Sequence, residues 1–322
     1  MPRAASLKDK DLLQLLYHLR LSRAFEERLS ILHRQGKVIG GIFSGIGQEA
    51  IMVGACYGLR REDFICPLHR DLGAFLVKGV SPQLLMAQVF GRRTGLSRGK
   101  DSYLHSGDSR LGIFGSTSML GSNVPVACGI AYGFKLRGRD HVVVAFFGEG
   151  AANVGDVHEA MNFAAVNKLA VVFVCVNNLY AYSTPFEKAF AIPGVAVRAQ
   201  AYGFPGVDVY GNDLLRVHGA MQDAIARARR GEGPTLVECK TCHLKEQEVQ
   251  PQANCRSCHG QIGGLHKKDT HAGSACTACH APHTWLLSKR ETCLACHDDK
   301  KEHNAPEICG RCHLFTATIK QR

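Results

Sequence analysis

The 322-residue sequence has no apolar run approaching membrane-spanning length. Its first twenty residues are charged throughout and lack the apolar core followed by small residues that marks a secretory leader. The chain therefore reads as cytoplasmic, without a membrane span. No basic run with interleaved aromatics is present either. Lys and Arg number 39 against 28 Asp and Glu, but the net charge of +11 is spread out, which argues against a nucleic-acid partner. Cysteine is sparse through residue 238, where only Cys56, Cys66, Cys128 and Cys175 occur, each in an apolar setting. These read as small buried hydrophobes in a reduced compartment. The other ten cysteines fall in the last 84 residues, all in Cys-x-x-Cys pairs. Composition thus divides the chain into residues 1–238 and a tail, 239–322.

What the front part has is a β-α-β signal. Residues 141–147 (HVVVAFF) form the continuous β-branched and aromatic run expected of a strand buried on both faces. Gly-Glu-Gly follows, then a helix opening near Asp156 with Val157, Met161, Ala164 and Ala165 on one face. A second buried-type strand over 170–176 ends in Asn177-Asn178. Polar residues then sit at the carboxyl ends of two neighbouring strands, where open α/β sheets bind ligands. Glycines at 148 and 150 permit close approach of a phosphate, and the following helix start offers amide donors. Glu149 and Asn178 are oxygen donors suited to Mg²⁺, which takes few protein ligands beside substrate phosphates. An ordinary glycine-turned β-α-β unit fits the same residues.

The stretch over 148–184 (GEGAANVGDVHEAMNFAAVNKLAVVFVCVNNLYAYST) resembles the thiamine-diphosphate motif. More narrowly it resembles the alpha chain of the first component of 2-oxo-acid dehydrogenase complexes, of the pyruvate, branched-chain and acetoin types. The resemblance covers residues 7 to about 241. It implies a doubly wound, mainly parallel α/β fold and oxidative decarboxylation of a 2-oxo acid with acyl transfer to a lipoyl arm. It further implies a beta chain in a heterotetramer and a lipoyl-bearing acyltransferase as partners. By similarity, Glu149, Asn178 and the Tyr180 carbonyl hold Mg²⁺, with Gly148, Gly150 and Ala151 around the diphosphate. The family usually has Asp where Glu149 stands. His69 and Arg70, in ICPLHRDLGAFLVKG over 65–79, would reach the phosphate oxygens; arginine's fork of donors suits them. Many members carry a second histidine where this chain has Leu72 or Gly73. Met119 would wedge the cofactor's central bend, with the Ser118 and Leu120 carbonyls facing its aminopyrimidine. His105 stands where the family often has histidine.

Elsewhere the spacing of Leu12, Leu15, Leu16, Leu19 and Phe25 predicts an amphipathic helix over 7–35, with Ser6 and Asp9 as a capping pair. Residues 48–57 read as a second helix. Ser81-Pro82 opens another, residues 214–230 form one more, and 235–238 (TLVE) read as a short strand.

Beyond residue 241 the family's Gly-His-Ser loop and C-terminal helices do not appear, so a truncated alpha chain is expected. In their place stand five Cys-x-x-Cys-His motifs: Cys239, Cys242, His243; Cys255, Cys258, His259; Cys276, Cys279, His280; Cys293, Cys296, His297; and Cys309, Cys312, His313. That spacing is the attachment signature of c-type haem. His266, His271, His283 and His303 are the distal-ligand candidates, one short of five, and no methionine follows Met221. The first motif is the suspect one, because Cys239 also belongs to the enzyme-like strand. Zinc is the competing occupant of such pairs. The tail has few core formers and reads as a small irregular domain, similar to a multihaem electron-transfer cytochrome carrying up to five haems. Haem attachment needs export, which conflicts with the cytoplasmic front. The alternatives are an electron carrier and a mis-joined fusion whose front domain is silent.

Overall fold

A run such as VVAFFG persists as a strand only where both of its faces are covered. The computed structural model describes residues 7–38, 40–101, 103 and 105–241. In it this run, β2 (Val143–Gly148), lies inside a five-stranded parallel sheet of order β1-β2-β3-β7-β6. The other members are β1 (Phe64–Cys66), β3 (Val171–Asn177), β6 (Gly206–Tyr210) and β7 (Thr235–Lys240), and a two-residue hairpin pairs β4 (Tyr180–Ala181) with β5 (Thr184–Pro185). The helices are α1 (Asp9–Arg34), α2 (Glu49–Cys56), α3 (Leu72–Val77), α4 (Pro82–Val89), α5 (Asn123–Leu136), α6 (Gly155–Val166), α7 (Phe186–Ala189) and α8 (Leu214–Arg229).

Alternation along the strands divides two cores. Val144, Phe146, Val172, Val174, Val176 and Val237 face α1–α4 and α8. Val143, Ala145, Phe147, Phe173, Cys175 and Leu236 face α5 and α6. Phe146, Phe147 and Phe173 are wholly buried, each contributing about 1.5–3 kcal/mol of transfer free energy. The expected doubly wound, mainly parallel α/β architecture is the one observed, and the described residues fall in one compact unit. None of the described helices is long and apolar enough to cross a membrane.

Three details differ from expectation. On α1, Leu15 and Phe25 are buried, but Leu12 and Leu16 are 39% and 48% exposed, and Ser22 and Glu26 take buried positions. The helix is capped by Asp11 Oδ2, which accepts from the Lys8 amide at 3.2 Å, and not by a Ser6–Asp9 pair; Ser6 lies outside the described residues. The strand expected to end at Glu238 continues through Cys239 and Lys240, paired with Val176 and Asn177 on one side and Val209 and Tyr210 on the other. Cys239 is fully buried in the core beside α8. This corrects its assignment as a haem thiol, because a side chain enclosed between sheet and helices cannot reach a porphyrin edge. The strand β7 itself runs two residues past 238. The remaining haem-motif cysteines and histidines, from Cys242 to His313, and the free histidines His266, His271, His283 and His303 lie outside the described residues. Cys56, Cys66, Cys128 and Cys175 are buried, unpaired thiols, as their apolar settings implied.

Candidate cofactor site

The site lies along the carboxyl ends of β1, β2 and β3. In-register pairing of Gly148 with Val176 brings the ends of β2 and β3 together. Glu149, the first residue beyond β2, is 3% exposed, and its Oε1 has no hydrogen-bond partner. Burial raises its carboxyl pKa; its own amide, the Asn178 and Tyr180 amides and the Arg70 charge pull the other way. Asn178 Oδ1 accepts from the Tyr180 amide at 3.0 Å and keeps a second lone pair. Leu179 between them has φ +67°, a left-handed backbone rarely adopted by leucine and often found at ligand sites. Gly150 is required for sterics: a Cβ there would stand 2.5 Å from the Ala181 Cβ of β4. A 3-10 turn, Gly150–Asn153, follows directly, and α6 starts at Gly155, one residue before the expected opening near Asp156, so the first amide donors come from that turn.

The end of β1 supplies His69 and Arg70. Asp71, 1% exposed, ties this turn by accepting from the Leu68 amide at 2.6 Å, and burial lifts its pKa to about 7. Arg70 Nε is buried with no partner. His69 packs its ring edge on Phe43 at 4.5 Å, and burial, Arg70 and His105 lower its pKa to about 4. Leu72 is buried at the head of α3. A loop over 43–47 covers this turn. Glu26 accepts from the Gly45 amide at 3.1 Å and the Ser44 hydroxyl at 3.3 Å. Glu49 accepts from the Gly47 amide at 2.8 Å and pairs with Arg23 through two bonds of 2.6 and 3.2 Å. A Cβ on Gly45 would stand 2.5 Å from the Arg70 carbonyl, so only glycine lets the loop lie this close.

Segment 118–123 closes the other side. Asn123, 2% exposed, donates to the Cys66 and Phe146 carbonyls at 3.0 and 2.7 Å, anchoring the start of α5 over β1 and β2. The Ser122 hydroxyl donates to the Met119 carbonyl at 2.8 Å, and Ser118 Oγ meets His105 Nε2 at 2.9 Å. Met119 is 72% exposed and Leu120 49%, standing free of the core.

Glu149 thus lies against the Asn178 and Tyr180 amides in the field of Arg70, while His105 lies in the field of His69 and bonds Ser118. The buried, unpartnered Glu149 oxygen, an amide oxygen with a free lone pair and the unpartnered Arg70 Nε suit a hard cation bridging phosphate oxygens. Among the described residues, no three His, Cys, Asp or Glu side chains converge as a metal-ligand set. Sequence reasoning assigned no role to Glu26, Glu49, Asp71, Asn123, Asn177 or Glu238. A signal existed for Glu26, a carboxylate next to Phe25 on the buried stripe of α1, and for Asn177, the first member of the Asn-Asn pair.

Residues 17–246 match the family model described as dehydrogenase E1 component. The chain belongs to that family. To the subunit alpha of acetoin:2,6-dichlorophenolindophenol oxidoreductase from Bacillus subtilis (strain 168), this E1-family chain is 43% identical over 219 residues, covering 68% of the chain and 66% of the relative. To the 2-oxoisovalerate dehydrogenase subunit alpha of the same organism it is 42% identical over 237 residues, 73% of the chain and 72% of the relative. The chain therefore spans about two thirds to seven tenths of the length of these two relatives. The transketolase structure from Campylobacter jejuni superposes with a TM-score of 0.56 at 19% identity, covering 73% of this chain and 38% of that one, a likeness of fold alone. The family match ends at residue 246, short of four of the five Cys-x-x-Cys-His motifs.

Proposed function

We propose that this chain is the alpha-type component of a thiamine-diphosphate-dependent 2-oxo-acid dehydrogenase, an oxidoreductase that decarboxylates a 2-oxo acid and delivers the acyl unit to the lipoyl arm of an acyltransferase. The observation that carries this reading is the unpartnered Glu149 Oε1, buried beside the Asn178–Tyr180 turn and within the field of Arg70. When bound, the cofactor supplies an electron sink for the carbon that loses carbon dioxide. The chain's own residues bind and orient it. Glu149, Asn178 and the Tyr180 carbonyl act as oxygen donors to Mg²⁺, and the turn through Gly148, Gly150 and Ala151 admits the diphosphate. Arg70 compensates phosphate charge. His69, with its pKa near 4, is neutral at pH 7 and serves there as a single N–H donor. Met119, with the carbonyls of Ser118 and Leu120, shapes the seat for the organic half.

Exposed apolar side chains, Phe43, Met119, Leu120, Tyr180 and Tyr182, lie on the same loops as these residues and border them along the chain. Such a border supports a beta-type chain closing the cleft in a heterotetramer and supplying the group that activates the aminopyrimidine. Calorimetric titration of the full chain with thiamine diphosphate, beta-type partner present, tests the proposal. Heat is expected with Mg²⁺ and is lost on chelation and in Glu149→Gln. Absence of heat from the unaltered chain overturns the reading.

A further inference from the structure

Glu238 lies far from Glu149 in sequence and carries neither cofactor nor metal in the proposed site. Its side chain is fully buried on β7, yet both carboxylate oxygens are used. Oε1 accepts from Asn177 Nδ2 at 2.6 Å, and Oε2 accepts from the Ala196 amide at 2.8 Å. Asn177 is itself fully buried at the end of β3. Its Oδ1 accepts from the Leu179 amide at 2.9 Å, the bond that closes the turn in which Leu179 takes its left-handed φ of +67°. Asn178 and Tyr180 flank that leucine. An unbroken series of hydrogen bonds therefore runs from the Ala196 backbone through Glu238, Asn177 and Leu179 to the two residues that face Glu149. The donor and acceptor ends of Asn177 are fixed by its partners, since a carboxylate can only accept and an amide N–H only donate.

We propose that Glu238 is a positioning residue for the cation-binding turn: by fixing the Asn177 amide, it holds Asn178 and Tyr180 against Glu149. This rests on the function proposed above, but its geometry does not. A left-handed leucine is unfavourable and persists only where surrounding bonds impose it. Among the described residues, Asn177 supplies the side chain that bonds the Leu179 amide, and Glu238 is what orients Asn177. The cavity of about 400 Å³ that Glu238 also lines, with Gly194, Gln200, Asp208 and Lys240, lies between β6, β7 and the 3-10 turn Ala196–Tyr202.

The test uses the donor–acceptor logic of the series. Glu238→Gln keeps volume but puts an NH₂ opposite one of two donors. Adding Asn177→Asp reverses the bond between the two side chains. The carboxamide introduced at position 238 then donates to the carboxylate introduced at position 177 and still accepts from the Ala196 amide. That carboxylate, in turn, still accepts from the Leu179 amide. Two readouts are taken on the full chain. The first, amide hydrogen exchange over residues 178–182, needs no cofactor. The second is the Kd of thiamine diphosphate with Mg²⁺ and the beta-type partner present. In E238Q, exchange in this turn is expected to quicken and Kd to rise about 10–100-fold, the usual consequence of losing an outer-shell partner. The double variant is expected to restore both. Wild-type exchange in folded E238Q, or a folded double variant that exchanges as fast as E238Q, overturns the proposal. If E238Q does not fold, recovery of fold and slow exchange in the double variant supports it. If neither folds, Glu238 is a determinant of the fold and not of the turn, and the proposal fails. If the unaltered chain binds no thiamine diphosphate, the proposed function falls while exchange still decides the role of Glu238.

Discussion

Two buried carboxylates at opposite ends of the same sheet, Asp63 and Glu149, are treated in opposite ways. At the amino end, Asp63 precedes β1 and is fully buried with both oxygens in use. Its Oδ1 accepts from the Val142 amide at 2.8 Å and Arg229 Nη1 at 3.2 Å, and its Oδ2 from the Arg60 amide and Arg229 Nη2, both at 2.7 Å. Lys78 adds three bonds to nearby carbonyls. At the carboxyl end, Glu149 is almost as deeply buried, yet one oxygen has no partner, and Arg70 Nε nearby has none either. Burial without a partner is costly and is retained where something else completes the set. The closed end binds the fold together; the open end leaves an acceptor and a donor unused.

The same chemical edit, carboxylate to amide, should separate the two ends. The largest expected effect is at the closed one. Asp63→Asn presents an NH₂ to two donors and leaves Arg229 half-paired, for a loss of about 3–5 kcal/mol, as for other broken buried ion pairs. Chemical denaturation of the ligand-free protein measures it. A loss of less than about 1 kcal/mol, the range of an exposed pair, would erase the contrast.

A smaller effect, in pH dependence, belongs to the open end. Burial raises both Glu26 and Asp71 to about 7. A carboxyl with a raised folded-state pKa contributes stability that is fully present below its unfolded value and is lost as pH rises through the folded one. The window therefore runs from about pH 4, the unfolded carboxyl value, to about 7. Glu26→Gln keeps an acceptor for the Gly45 amide and a donor for Ser44 Oγ but cannot ionise. Relative to wild type, this variant should gain stability as pH rises from about 5 to about 8 in ligand-free thermal melts. A constant difference across that range would place the titration elsewhere.

The central motif was legible because its signals are local. Strand runs, glycines and the Asn-Asn pair lie within a few dozen residues, and the carboxyl ends of β2 and β3 fell within one residue of expectation. Ser81 caps α4 as its sequence implied, accepting from the Leu84 amide at 3.2 Å. What could not be read is long-range pairing. Asp63 and Arg229 are 166 residues apart, and Asn177 and Glu238 are 61. No periodicity marks such partners. On α1 the departure had a related cause: apolar spacing assigned Leu12 and Leu16 to the core, while the buried stripe included Glu26 because the loop over 43–47 needed an acceptor there. Cys239 shows the same competition. A five-residue motif suggested one chemistry, and register with β3 and β6 assigned the thiol to the core.

The smallest expected effect is also the most discriminating. Glu149→Gln in the ligand-free protein removes a charge that burial penalises and breaks no bond at Oε1, since none is made there. The carboxamide oxygen can still accept from the Asn178 and Tyr180 amides. The losses are the attraction to Arg70 and the stronger bonds that a charged oxygen takes from its own, the Asn178 and the Tyr180 amides, and these oppose the desolvation gain. Unfolding free energy should therefore change by less than about 1 kcal/mol, with the sign favouring the variant once pH exceeds the raised pKa of the wild-type carboxyl, because burial penalises its charged form. The advantage should fade as pH falls and Glu149 takes up its proton. Equal losses from Asp63→Asn and Glu149→Gln would mean that both carboxylates serve the fold, and the carboxyl end would lose its claim to be a site left open for a ligand.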